Sequence, residues 1–509
     1  MARFSGLPLL VVLLGLSGLA MYVPALHAMI SREYFVARAF FYSGTATMVL
    51  VGFLALTLSN YRPAHGARSH LLQQVGAFSL LPLFLALPVT EAMPGFGFVD
   101  AWFEMVSSFT TTGASVFSEG AAGPFGGPVP MSVHLWRALI GWGGGFFVLL
   151  SAMAILAPLN LGGFEVISGE PWERRGGAFG RQIDPSERIM RFASVLFAPY
   201  FALTVALWGA LLVAGDSAIV ALCHAMATLS TSGISPIGGL ERAASGRVGE
   251  ALVVLFLLLA FSRMIMPGMH GARSPISSLR QDPELRLGLG LVGAVGLGLW
   301  LLEVAHAWAI DAPGGPLAAL AALWAGLFTA TSFLTTTGFV SADWGQGMLW
   351  SGFHAPGVIL IGLCLVGGGL ATTAGGVKLM RVYALYRHGT REVERLIHPS
   401  SVAGAGRMGR FLRRKGAQLA WVFVMLFLLS IAVLMAGLTL AGLEFEPAMV
   451  LSVAALTTTG PLAEWGGATP IFYGAQSDSV KFLLGVAMVL GRVELFALIT
   501  LLAPDGWRN

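Results

Sequence analysis

Apolar residues in this 509-residue chain do not alternate with polar ones; they run in long blocks separated by short polar breaks. Blocks near 7–30, 38–59, 70–88, 133–160, 187–214, 248–266, 286–308, 355–387, 417–441 and 479–503 are each long enough to cross a bilayer as a helix. The pattern predicts ten spans with both termini on one side. Among them lie four shorter apolar stretches of about fifteen residues, too few to span. Each ends in three hydroxyl residues and a glycine: Thr110 to Gly113, Ser230 to Gly233, Thr335 to Gly338 and Thr457 to Gly460. A short apolar helix that meets a polar phrase and is followed by a spanning run predicts a re-entrant hairpin. The four glycines are 120, 105 and 122 residues apart, so one unit is repeated four times. The expectation is an all-α integral membrane protein, four pseudo-repeats of helix, pore hairpin and helix around one pore. Its boundaries are two extra N-terminal spans in 1–66, then repeats at 67–165, 166–275, 276–400 and 401–509, the third carrying a gating loop and a basic segment.

Composition narrows the function classes. With 56% hydrophobic residues, 11% charged residues and a mean hydropathy of +0.77, the chain lacks the polar surface that a soluble globule of this length needs. No block is large and polar enough for a soluble catalytic domain, so an enzyme is not expected. The run 7–30 lacks a small-residue cleavage site and reads as an uncleaved first span. Cys223 and Cys364 lie in apolar surroundings, as buried thiols rather than a disulfide framework or metal site.

Charge orients the chain. On this topology one side carries 23 of the 30 Lys and Arg, including Arg387, Arg391 and Arg414, and is the cytoplasmic side by the positive-inside rule. Both termini then lie in the cytoplasm and the Thr-Gly phrases face outward. Counting acids as well gives a net charge of −9 outside and +13 inside. An acidic outer mouth concentrates cations.

A cation crossing a bilayer must exchange water for oxygen ligands, and a ring of backbone carbonyls supplies them without a fixed charge that would trap the ion. The candidates are Thr111, Thr112 and Gly113, Thr231, Ser232 and Gly233, Thr336, Thr337 and Gly338, and Thr458, Thr459 and Gly460. Glycine permits the φ values that turn carbonyls toward one axis. The alternative, a polar turn at a helix end, accounts for one copy but poorly for four at repeat spacing. In the third inner span Gly367, Gly368, Gly369, Thr372, Thr373, Gly375 and Gly376, followed by Lys378, should break a helix. A loop across the pore beneath the filter is expected there, with close helix packing through small residues as the alternative. Arg492 lies about 18 Å into the last span by helical rise, where a cation is a functional candidate by default. Glu494, two residues on, lies on another helix face. Arg492 is expected to oppose cation leak through a shut pore; pairing with a carboxylate elsewhere is the alternative. The glycine series Gly288, Gly290 and Gly293 reads as a packing face, and His134, His224 and His306 as core or interfacial residues. The basic segment from Arg381 to Lys415 is either a solvated loop or a docking surface for a cytoplasmic partner or anionic membrane lipid. Nothing points to nucleic acid.

These phrases resemble the TrkH/KtrB/HKT superfamily of potassium transporters, and its TrkH branch most closely. The likeness runs the whole length. It includes Asp282-Pro283-Glu284-Leu285-Arg286, the run from Arg387 to Pro399, Gly375-Gly376-Val377-Lys378 and Gly491-Arg492-Val493-Glu494-Leu495-Phe496. The resemblance implies K⁺ as the transported ion with no organic cofactor in this chain, and a homodimer in the bacterial inner membrane with one pore per protomer. It further implies a gating loop near Gly367 to Gly376 and a cytoplasmic ring of TrkA-type nucleotide-binding regulatory subunits. In this superfamily serine at the first filter glycine goes with sodium permeation, so Gly113 argues for potassium. Departures are Trp142 and Phe146 flanking the glycines of the first inner span, Ser230 and Ser232 in the second filter, and Pro461 after the fourth. The expected function is gated, channel-like potassium uptake. A symporter coupled to Na⁺ or H⁺, and a non-selective monovalent cation channel, are the alternatives.

Overall fold

The structure, a computed structural model, describes residues 7–58, 67–117, 128–166, 185–262, 282–309, 316–345, 356–398 and 416–502. These residues are helical, with no strand among them. Pro24 breaks the first span into Leu9–Ala20 and Tyr22–Ile30, because its ring clashes with the carbonyl four residues back, that of Ala20. Tyr34–Thr57 then returns alongside. Four units follow, each with an outer helix, a pore helix that stops at a Thr-Gly phrase, and an inner helix.

The outer helices are Ala67–Ala92, Pro185–Val213, Pro283–Ala309 and Gly416–Leu440. The pore helices are Phe98–Phe109, Ala218–Ser230, Pro316–Leu334 and Phe445–Leu456. The inner helices begin at Met131, Gly246, Pro356 and Asp478. Burial sorts them: 78% of the Met131–Leu156 span is buried within the protein, against 17% for Gly416–Leu440 and 28% for Arg188–Val213. The outer helices therefore spend their apolar faces on lipid, and the first inner helix spends its own on the centre of the molecule. The four-unit helical architecture matches the expectation.

Not every expected span is one continuous helix. Among the described residues eight unbroken helices are long and apolar enough to cross a membrane, the third pore helix among them. Three expected inner spans are broken. In the run 248–266 the described residues form Gly246–Leu257 and a 3₁₀ turn, Leu258–Phe261, and the last four lie outside them. The run 355–387 is Pro356–Val366, a loop, and Leu379–Ile397, whereas 479–503 breaks between Asp478–Val493 and Leu495–Leu502. The first inner helix, Met131–Ser151, also departs from α geometry, through the π turn Ala152–Leu156. Conversely, the third pore helix has 19 residues and is long enough to span, yet it ends at Thr335 like the other three. Hydropathy reads apolarity along the chain and does not register where a backbone turns.

The glycine series of the third outer helix is only partly a packing face. A Cβ on Gly288 would touch Phe261 and Leu379, and one on Gly296 would strike Leu327, whereas Gly290 and Gly293 face open space. Cys223 and Cys364 are buried and free, as expected. Residues 399–415, about half of the basic segment, lie outside the described residues.

Candidate ion-permeation site

Each pore helix ends in the same hydrogen-bonded cap. The second hydroxyl residue donates its backbone N–H three residues back, at 3.0–3.2 Å, and the third donates five residues back, at 2.8–2.9 Å. This is a Schellman cap, whose pivotal residue must be left-handed. Here that residue is a threonine in all four loops: Thr111 (φ 55°), Thr231 (51°), Thr336 (58°) and Thr458 (54°). A β-branched residue in this region is an outlier costing roughly 1–3 kcal/mol, tolerated where the surroundings hold it in place. The filter glycines were expected to carry the unusual φ. Gly113, Gly233 and Gly338 do, at 75°, 65° and 85°, but Gly460 does not.

The first hydroxyl of each phrase was not among the candidates, and it has a definite task. Thr110, Ser230, Thr335 and Thr457 each bond the helix carbonyl four residues back, at 2.7–3.0 Å. Each also pairs with the third hydroxyl of its phrase at 2.8–3.2 Å. Serine does this as well as threonine, so the second phrase is geometrically equivalent to the others.

The four loops meet in a closed ring. A Cβ on Gly113 would lie 1.9 Å from the Ser232 carbonyl oxygen, and one on Gly233 would lie 2.1 Å from that of Thr337. On Gly338 it would lie 2.9 Å from the Pro461 ring, and on Gly460 2.0 Å from the Ala114 nitrogen, which returns to the first loop. Glycine is needed because each position abuts the next loop's backbone or proline. The Gly460 N–H donates to the Thr112 carbonyl at 2.6 Å, so the fourth quadrant differs in detail.

Polar groups behind the ring hold the segment that follows each filter. Glu104, nine residues before Gly113, accepts from Ser115 Oγ at 2.8 Å and the Val116 N–H at 2.5 Å, and pairs with Arg137 at 2.7 Å. His224, nine residues before Gly233, bonds Ser235 Oγ at 2.9 Å. This gives one of the scattered histidines a structural role equivalent to that of Glu104. Glu250 does the same for the third loop through Ser341 and Ala342, and the Tyr473 hydroxyl donates to the Gly460 carbonyl at 3.0 Å. The bulky first inner span creates no obstruction: Trp142 stacks on Tyr200, while a Cβ on Gly144 would lie 2.1 Å from the Phe109 carbonyl oxygen.

On one side of the ring opens a funnel of about 550 Å³, with Ser115, Gly233, Arg242, Gly460, Glu464 and Tyr473 in its wall. Among the described residues of its wall the one carboxylate is Glu464. Arg137 and Arg242 also line it, and Arg137 is neutralised by Glu104. On the other side lies a small cavity of about 40 Å³ bounded by Gln74, Thr372, Gly375, Lys378, Arg492 and Glu494. The glycine-rich segment fills that side. It is a loop, not close helix packing, and its stems are joined by the Val377 and Lys378 N–H groups to Leu365 and Val366, both at 3.0 Å. Its tip reaches the ring itself. The Gly375 N–H donates to Thr336 Oγ1 at 2.7 Å, a Cβ on Gly375 would lie 2.1 Å from the Thr457 carbonyl oxygen, and Thr373 Oγ1 donates to the Leu229 carbonyl at 3.3 Å. Gly367, Gly368, Gly369, Thr372, Gly376 and Lys378 belong to the same hairpin, and Lys378 Nζ donates to Ala374 O.

Arg492 completes the obstruction. Its Nη2 donates to Thr111 Oγ1 and to the Thr373 carbonyl, the latter at 2.6 Å, and no carboxylate pairs with it among the described residues. The alternative of a structural ion pair therefore fails for Arg492. Glu494 instead pairs with Arg381 at 2.8 Å, and Glu165 does so too, also at 2.8 Å. Sequence reasoning missed this triad because Glu165 and Arg381 are 216 residues apart. It also missed Glu284, whose carboxylate accepts the Leu370 N–H at 2.8 Å from within the Asp282-to-Arg286 motif.

A ring of uncharged oxygens closed beneath by a loop and a guanidinium is suited to a weakly hydrated monovalent cation. Comparison with known proteins agrees. The TrkH family model, described as a cation transport protein, matches residues 285–507. The chain is 30% identical over 465 residues to the Trk system potassium uptake protein TrkH of Halomonas elongata, covering 88% of this chain and 89% of that one. It is 28% identical to the protein of the same name from Escherichia coli K12, over 96% of both. The crystal structure of the potassium transporter TrkH from Vibrio parahaemolyticus superposes with a TM-score of 0.81 over 100% of both chains, at 26% identity.

Proposed function

Because this chain belongs to the TrkH family of potassium-uptake transporters, multi-pass membrane proteins, we propose that it admits K⁺ to the cell through one gated pore formed by its four repeats. The observation that carries the reading is the closed ring of filter glycines, each abutting the next loop. Thr111, Thr112 and Gly113, with their counterparts at 231–233, 336–338 and 458–460, coordinate the ion through backbone carbonyls. The hairpin from Gly367 to Gly376 is the gate, and Arg492 raises the electrostatic barrier while the gate is shut.

The funnel faces outward and both termini lie in the cytoplasm of a bacterial cell. The protein works as a homodimer, and a TrkA-type nucleotide-binding subunit engages the basic segment after Arg381 to open the gate. The repeats act as the quarters 67–165, 166–275, 276–400 and 401–509. Tracer rubidium influx into sealed proteoliposomes, with a membrane potential but no pH or sodium gradient, is the test. Flux driven by potential alone is expected. Flux that requires a sodium or proton gradient overturns the pore in favour of a symporter.

A further inference from the structure

We propose that Arg381 is a latch that holds the gate shut, and that opening requires its ion pairs to break. The inference rests on reading the 367–376 hairpin as the gate. Arg381 lies in the first turn of the helix that leaves the hairpin, and its side chain is fully buried. Every guanidinium nitrogen is engaged. Nη1 donates to the Val377 carbonyl in the hairpin's own stem at 3.2 Å, Nε to Glu165 at 2.8 Å and Nη2 to Glu494 at 2.8 Å. Its carbon lies 3.6 Å from the centroid of the Phe423 ring.

These partners belong to different units. Glu165 follows the first inner helix, Glu494 sits at the break in the fourth, and Phe423 is on the fourth outer helix. One planar, forked cation thus joins the gate's stem to the first and fourth units, a geometry that lysine cannot reproduce. Two of the joined segments are also strained. Lys378 and Glu494 are non-glycine residues at φ 85° and 71°, with ψ 133° at both. Backbone in that region persists only where its surroundings hold it, and Arg381 bonds one of these residues and the residue preceding the other. Releasing the guanidinium lets both segments relax, which withdraws the hairpin from beneath the ring.

The test is basal rubidium influx into liposomes of phosphatidylethanolamine and phosphatidylglycerol holding the full chain, alongside the rubidium-to-sodium permeability ratio. Glu494→Gln is expected to raise basal influx about tenfold, the equivalent of one charge-assisted hydrogen bond, with the permeability ratio unchanged. Arg381→Lys, which keeps the charge and loses the fork, should fall between this variant and the wild type. A merely structural role would instead lower both flux and yield. Influx at or below the wild-type level in a Glu494→Gln protein that elutes and melts like the wild type overturns the latch. If that variant does not fold, Glu165→Gln leaves Arg381 and Glu494 as a one-to-one pair and decides the matter by the same criterion. Arg492→Ala in the same vesicles separates the two readings. Leak that rises there but not in the latch variants overturns the latch alone, whereas rubidium influx absent from the wild type, the latch variants and Arg492→Ala alike overturns both latch and pore.

Discussion

Arg492 is a buried guanidinium whose partners beneath the ring are a threonine hydroxyl and a loop carbonyl rather than a carboxylate. Its charge is therefore not cancelled locally, and it acts on whatever occupies the passage. Replacing it with alanine is expected to raise basal rubidium influx by more than about tenfold, since removing a full charge near the ion path is worth more than the roughly 1.4 kcal/mol that corresponds to tenfold. Unchanged leak in reconstituted vesicles would count against that role. Gly113 illustrates the opposite constraint, one of space. Its missing Cβ would lie 1.9 Å from the Ser232 oxygen, and its φ is 75°. Gly113→Ser must push the first loop away from the second, so discrimination between K⁺ and Na⁺ is expected to fall. The measurement is the reversal-potential ratio under bi-ionic conditions, and a ratio equal to wild type would refute the argument.

At the level of elements, the hairpin's tip is tied directly to the third filter loop by a bond that is readily removed. Thr336 Oγ1 accepts the Gly375 N–H at 2.7 Å, and Thr336→Val deletes the acceptor while keeping the β-branched shape. An unpaired buried N–H costs about 1–3 kcal/mol, a penalty paid only while the gate is shut. Basal flux should therefore rise while the melting temperature falls only slightly; a lower flux would show that this hydroxyl serves the ion path instead. The sequence located the hairpin because five glycines and two threonines are poor helix formers. It also located the four caps, because their phrases recur at repeat spacing. It could not reveal that a threonine, rather than the glycine, takes the left-handed position in every cap, since only the Schellman bonding geometry imposes that. Nor could it show the breaks at Phe261 and Glu494, which lie inside long apolar runs whose few polar residues do not by themselves turn a helix. Arg381 read as one more residue of a basic run, because its two acids come from distant units.

Considered as a whole, the molecule has one open side and one filled by the hairpin, and in the proposed orientation the filled side faces the cytoplasm. Phe472 is exposed beside the funnel and Val393 lies exposed on the helix beyond the hairpin. With Cys223 and Cys364 both buried, an impermeant thiol reagent applied to intact cells should label Phe472→Cys and spare Val393→Cys. The reverse pattern would invert the topology. The ring itself has a further consequence. It is built from one polypeptide with four unlike quadrants: serines in the second, Pro461 against the third, and a fourth glycine that donates a hydrogen bond instead of adopting positive φ. In a channel assembled from four identical chains, one codon change alters every quarter of the filter together. Here it alters a single quarter, so selection can adjust ion preference in small, separable steps while the remaining three keep the pore working.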